Sequence, residues 1–174
     1  KMYITPDATH PDYWALKVMG QMLSGSGKDV FREELVTKRG KALEAASFID
    51  GIFKEGGLAV FGSISLPTRS KRSMHKHIQA SLESLAEKEW LTQDNLLSAR
   101  KGLEREELEN LYYADSQAEA IGWAHSRIGT AESGVLGYAE PIGAVTLEDV
   151  SRVFDIYIVN GKSVDLFIKK GKSQ

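Results

Sequence analysis

Between Tyr13 and Leu66 the apolar residues change period once, from about 3.6 to 2, and that change restricts the chain to a fold with helices and strands in sequence. Tyr13, Leu16, Met19, Met22 and Leu23 recur at helical spacing after Pro11, which is tolerated in a first turn. The helix therefore starts near Pro11 and stops at Ser24-Gly25-Ser26-Gly27. A short second helix runs from Asp29 to Lys38 and ends at Arg39-Gly40, with glycine where a left-handed cap would sit. Lys41 to Ile49 and Leu58 to Leu66 then alternate with period two, as half-buried strands do. A hairpin joins them through Asp50-Gly51 and Glu55-Gly56-Gly57. In the second strand Leu58, Val60, Ile64 and Leu66 share one face. Ser63 and Ser65 on the other predict that the serine face is the less buried.

A helical half follows Pro67. Met74, Ile78, Leu82, Leu85 and Ala86 predict one amphipathic helix to about Trp90. Thr92 is a good N-cap for the next, which carries Leu96, Leu97, Leu103, Leu108 and Leu111. Helical character continues from Ala114 to Ile128. Thr146 with Asp149 three residues on is a capping-box pattern, and Val150, Val153, Phe154 and Tyr157 fall on one helical face behind it. Asn160-Gly161 marks a turn, and Ser163 to Lys169 alternates as a last strand. Before any further comparison, the pattern is that of an α+β domain: a small, mostly antiparallel sheet with helices packed on one face. Met2 to Ile4 reads as a strand end. The whole of 1–174 is one domain, expected to belong to a longer chain.

Composition excludes several functions. With no cysteine in 174 residues, disulfides and thiolate catalysis are absent. A formal net charge of −2 provides no bulk attraction to nucleic acid or acidic lipid. No apolar run approaches the roughly 20 residues a membrane-spanning helix needs. Gly25-Ser26-Gly27-Lys28-Asp29 fails as a phosphate loop, because Met22 stands where the first glycine belongs and Asp29 where Ser or Thr would reach magnesium. Ser26 also lacks a nucleophile elbow, since Lys28 stands two residues after it. His75 and His77 lie two apart and point to different faces of a helix, whereas chelation needs three or four. His10 is isolated. His125 lies among Ile121, Trp123 and Ala124, the setting of a half-buried structural histidine. The charged run Lys101 to Glu109 reads as a solvated helix face.

One resemblance organises the remaining residues. His10-Pro11-Asp12-Tyr13-Trp14-Ala15-Leu16, then Leu23 and the glycine-rich break, then Phe31-Arg32-Glu33-Glu34-Leu35-Val36 and Lys41-Ala42, resemble the second-type domain of the pitrilysin/insulinase family of zinc peptidases. Gly143 to Val150, with Val145-Thr146-Leu147-Glu148-Asp149-Val150, matches a helix start near the end of such domains. The match spans about Met2 to Ile168 and is greatest with the non-catalytic domains of multi-domain bacterial zinc proteases. It implies an α/β roll, two of which close as a clam shell around a peptide. The zinc of the full enzyme is then bound by an inverted H-x-x-E-H helix in another, homologous catalytic domain, in the same chain or a partner chain. This chain carries no such motif, so the resemblance implies a chamber-forming, substrate-enclosing segment that is inactive alone. A peptidase-like scaffold or assembly subunit is the alternative.

Some family members donate an arginine and, seven residues on, a tyrosine to the substrate. The matching positions are Val36 and Leu43, both apolar, so the polar role does not carry over. If peptide touches this domain, Phe31, Val36 and Leu43 on the short helix and following strand are the candidate contacts. Periplasmic and cytoplasmic bacterial locations both suit the resemblance. Val36 provides a test. If it packs between helix and sheet, Val36→Asp buries an unpaired carboxylate and lowers the midpoint of denaturant unfolding. If it meets peptide at the surface, stability stays unchanged and only binding falls.

Overall fold

The computed structural model describes residues 1–25, 29–53, 56–66, 70–128 and 139–168. Strand β1 is Met2–Thr5 and helix α1 is Tyr13–Ser24. Helix α2, Val30–Arg32, continues as a π-helical turn over Glu33–Lys38. Strands β2, Glu44–Phe53, and β3, Gly56–Ile64, form the hairpin. Helices α3, Lys71–Leu85, α4, Gln93–Tyr112, α5, Ala114–Ile128, and α6, Ala139–Ala144, follow. Helix α7, Leu147–Phe154, also runs on as a π-helical turn, Asp155–Val159, before the short β4, Ser163–Val164.

The four strands are ordered β2-β3-β1-β4, and every pairing is antiparallel. The helices cover one face of the sheet, so the expected α/β roll is what the chain forms. Strand β2 starts and ends a few residues later than its alternation predicts, with a register shift between Asp50 and Phe53 near the turn. The hairpin residues 54 and 55 lie outside the described residues, as do 26–28 of the glycine-rich break, Pro67 and Lys169.

The core lies between the sheet and α1. Leu16, Val18, Met19, Met22 and Leu23 of α1 are buried, with Ala45 of β2 and Ala59 and Phe61 of β3 beneath them. Small residues set the approach: a Cβ on Gly20 would come within 3.2 Å of the Cβ of Ile49. Phe31 is fully buried and stands edge-on to Phe61, ring centroids 5.2 Å apart, while Tyr3 meets Phe61 from the other side at 6.0 Å. A second cluster joins the layers, in which Trp90 packs on Phe154 and donates from Nε1 to Leu85 O.

The caps behave as their sequences dictate. Asp29 accepts from Arg32 N, Ser70 from Ser73 N and Thr92 from Asn95 N, and Thr146 and Asp149 close a full capping box. Gly40 has φ +57, the left-handed geometry expected of it.

Four expectations need correction. Leu58, Val60 and Ile64 of β3 face away from the helices, and Gly57, Ala59 and Phe61 are the buried set. Period two tells which residues share a face, not which face a helix will cover. Here the covered face carries small residues that let α1 come close. Helix α3 ends at Leu85, not Trp90, because the chain turns through Lys88, whose φ is +60. On α4 Leu96, Ala99 and Leu103 are buried, but Leu97 and Leu108 are exposed. His125 is exposed, on a helix that leaves the core.

Two carboxylates are buried and ionised. Asp12 does not cap α1 with its side chain. Its carboxylate instead accepts from Arg152 Nη1 at 2.7 Å and from the Tyr157 hydroxyl at 2.8 Å, tying the start of α1 to the end of α7. Burial pushes the Asp12 carboxyl up, but the hydrogen bonds from Arg152 and Tyr157 and the guanidinium charge outweigh it, so its pKa falls below the usual value. Burial, and then the Asp12 carboxylate, push Tyr157 up to about 12. Glu34 is held between Lys38 at 3.3 Å and Arg39 at 2.9 Å, and Arg39 Nη2 also donates to Ala80 O on α3. Burial raises the Glu34 carboxyl, and its hydrogen bonds and the charge of Lys38 bring it below the ordinary range.

Both groups therefore bind fewer protons in the fold than in the unfolded chain as pH falls through about 4. Stability is present above that pH and is lost below it. Asp12→Asn should leave the neutral-pH fold weaker by about 1–3 kcal/mol and flatten the acid branch, read from urea midpoints between pH 3 and 7. Phe31→Ala should cost about 3–5 kcal/mol, because the ring has no solvent face and leaves a cavity against Phe61.

Candidate functional site

The face of the sheet turned away from the helices is the feature that burial does not explain. Along β3, Leu58, Val60 and Ile64 alternate with the buried residues and so point outward. The ladders align them across strands. Phe48 of β2 lies opposite Val60, Val60 opposite Met2 of β1, and Met2 opposite Val164 of β4. This makes a continuous apolar row across all four strands. A second row places Leu58 opposite Ile4. Phe48 is 54% exposed, Ile64 58% and Ile4 70%. Gly62 faces Ala46 in the third row, where the surface is shallow. Glu44 opposite Ile64 adds a charge at one margin.

Why the sequence folds this way follows from local patterning. Strand β3 has apolar residues on both faces, so alternation in hydropathy is blurred and only side-chain size differs. The bulkier aliphatic side stays open. Apolar patches of this kind on a folded chain mark contact with something else more often than they mark accident.

The three candidate contact residues separate in the structure. Phe31 is in the core, and Val36 is half-buried and packed against it. Leu43 is 54% exposed at the start of β2, where its N–H donates to Ile64 O. Of the three, Leu43 alone offers surface at the sheet margin. The signal that could have found Phe48 and Ile4 is the two-sided apolar character of the strands.

Histidine and carboxylate side chains form structural pairs. His75 Nδ1 lies 2.9 Å from Asp165 Oδ2, bridging α3 to the residue after β4. His10 Nδ1 accepts from Asp12 N and lies 3.8 Å from its carboxylate. Among the described residues no three His, Asp or Glu side chains gather in a way that could hold a metal. No described helix is long and apolar enough to cross a membrane. An open groove of about 570 Å³ between Leu91 and α7 is lined by Leu147, Ser151, Arg152, Asp155 and Ile156. Its Ser151 and Asp155 both accept from Lys88 Nζ, at 2.7 and 2.6 Å, an arrangement that closes a loop onto a helix.

The open face provides a measurement. Phe48→Ser and Ile4→Thr should change stability by no more than about 0.5 kcal/mol, since neither side chain packs on the core. Phe61→Ala, one position from Val60 on the covered face, should cost about 3–5 kcal/mol. Thermal unfolding of the three variants checks the assignment of faces.

Comparison with known proteins adds the lineage. No curated protein sequence matches the chain. Among solved structures, the inactive peptidase domain from Bordetella parapertussis superposes with a TM-score of 0.78 at 23% identity, covering 92% of this chain and 86% of that one. A protease from Helicobacter pylori superposes with a TM-score of 0.74 at 22% identity over 90% of this chain. A peptidase M16 inactive domain from Pseudomonas fluorescens follows at 0.66 and 20% over 90%. The chain spans only 37% of the length of each of the latter two. These identities establish the shared fold. The family model described as the peptidase M16 inactive domain matches residues 1–103, more than half of the sequence. With that match over more than half of its length, the chain belongs to the peptidase M16 inactive-domain family.

Proposed function

We propose that this domain is one wall of a peptide-enclosing chamber in a zinc-dependent peptidase whose metal and catalytic base are held by a separate, homologous domain. The observation that carries the proposal is the open apolar face of the sheet, with Phe48, Val60, Met2 and Val164 in register across it. A chamber that takes unfolded peptide needs an apolar, chemically bland wall that makes many weak contacts. It also needs a rigid support, which α1 and the aromatic cluster around Phe61 provide on the other side. Of the candidate contacts, Leu43 is the exposed one, just before β2 at the sheet margin. Phe31 and Val36 act through the packing beneath it.

The zinc and its base belong to the partner domain in this reading, so every contribution of this chain is to shape and contact. The purified chain is expected to hold substoichiometric zinc by metal analysis and to leave a labelled peptide uncut. Stoichiometric zinc with histidine ligation would overturn the assignment of the metal to another domain.

The decisive test joins the chain to its partner. The same gene or its neighbour should encode H-x-x-E-H, and peptide hydrolysis by that domain should require this one. Phe48→Asp in the assembled protein should raise KM for an unstructured apolar peptide about fivefold or more, with zinc content and kcat unchanged. If no H-x-x-E-H domain accompanies the chain, the peptidase reading falls and a scaffold subunit takes its place. If the motif is present and Phe48→Asp changes nothing, the sheet face is not the chamber wall.

A further inference from the structure

Beyond Leu103, helix α4 leaves the core. Glu104, Arg105, Glu106, Leu108, Glu109 and Tyr112 are all exposed. A solvated helix face ordinarily carries charge, yet here Leu108 is 67% exposed and Tyr112 82%. Tyr113, at the corner into α5, stands edge-on to Tyr112 with ring centroids 5.2 Å apart and supports its ring. Lys101, Arg105, Leu108 and Tyr112 follow one another at steps of four, three and four, the spacing of a seam between paired helices. The seam lies opposite Leu96, Ala99 and Leu103, the residues that α4 buries.

We propose that this seam pairs with the same seam of a second copy of the chain, the two α4 helices running antiparallel. This inference is independent of the chamber-wall reading and concerns a different surface.

Charge selects both the occupant and the direction. With the two-fold axis between residues 106 and 107, Lys101 meets Tyr112 of the second copy and Arg105 meets its Leu108, and each contact is made twice. The Lys101 ammonium then lies over the tyrosine ring. Arg105 lays its apolar stem on the leucine, and its guanidinium reaches Glu109 of the second copy. Within one chain Arg105 Nε already lies 3.6 Å from Glu109 Oε1, with the two side chains 77% and 70% exposed, so the pair changes partner without stranding a buried charge. A parallel pair would instead set Lys101 on Lys101 and Arg105 on Arg105, with Glu104 beside Glu109 across the seam. Seam and flanks together carry two bases, Lys101 and Arg105, and two acids, Glu104 and Glu109, so a uniformly charged partner matches them less well than a second copy does. From Lys101 to Tyr112 the seam is about 17 Å long. That is short of the roughly 800 Å² per partner of a standard interface, so the pair is a reversible one.

The test is sedimentation of the whole chain over a concentration series, where the mass is expected to rise from monomer towards dimer. Arg105→Glu and Glu109→Arg change exposed positions, and an unchanged Tm checks that each variant folds. Each variant alone sets like charges across the seam at two sites and is expected to weaken association about tenfold or more. An equimolar mixture of the two variants brings opposite charges together again and is expected to restore association to the original level. A chain that stays monomeric throughout the series would overturn the proposal. So would a mixture no stronger than either variant alone, because an effect confined to one chain is not repaired by mixing. Association abolished by Phe48→Ser would also overturn it, by placing the contact on the open face of the sheet.

Discussion

The close approach of α1 to the sheet is the constraint on which the rest of the structure depends. Gly20 meets Ile49 where a side chain would be too tight, and Ala45 and Ala59 keep the sheet surface low beneath the helix. That shallow bed lets Leu16, Met19 and Leu23 reach the strands. The volume left at its edge is filled by three aromatic rings, Tyr3, Phe61 and Phe31, standing edge to face. Close packing of this kind stabilises through many small contacts and tolerates little change in volume. It also commits one face of the sheet to the core and leaves the other, among the described residues, without a covering layer.

Charge serves the same arrangement. Asp12 and Glu34 are each buried at a joint between elements, Asp12 among donors from α7 and the turn after it, Glu34 between Lys38 and Arg39 at the end of its own turn. Asp12 holds α1 to α7 through Arg152 and Tyr157, and Glu34 holds the π-helical turn to α3 through Arg39. A buried carboxylate satisfied in this way specifies which partner an element chooses more than it adds net stability. Both oxygens of each carboxylate are engaged by neighbouring side chains, so these charges serve architecture.

The unusual surface is therefore the uncovered one. An antiparallel sheet with one solvated face ordinarily alternates apolar and polar residues. Strand β3 keeps apolar residues on both faces, with bulky Leu58, Val60 and Ile64 outside and small Gly57 and Ala59 inside. The same surface explains why Phe31 and Val36, chosen by position along the chain, are less informative than Phe48 and Ile4, chosen by register.

By itself the sequence determined what depends on neighbouring residues. The helical period after Pro11, the caps at Thr92 and Thr146, the left-handed glycine at Gly40, the hairpin of β2 and β3, the absence of zinc-ligand spacing and the ordered motifs from His10 to Val36 are all local signals, and short-range sterics and hydrogen bonding set them. Only the tertiary structure decided which face of β3 is covered, that Asp12 serves Arg152 and Tyr157 instead of capping its own helix, and that Lys88 turns the chain before Trp90. Each of these rests on a contact between residues far apart in the chain. Residue spacing encodes which side chains share a face, but the identity of the surface that meets that face depends on volumes and registers that no local pattern contains.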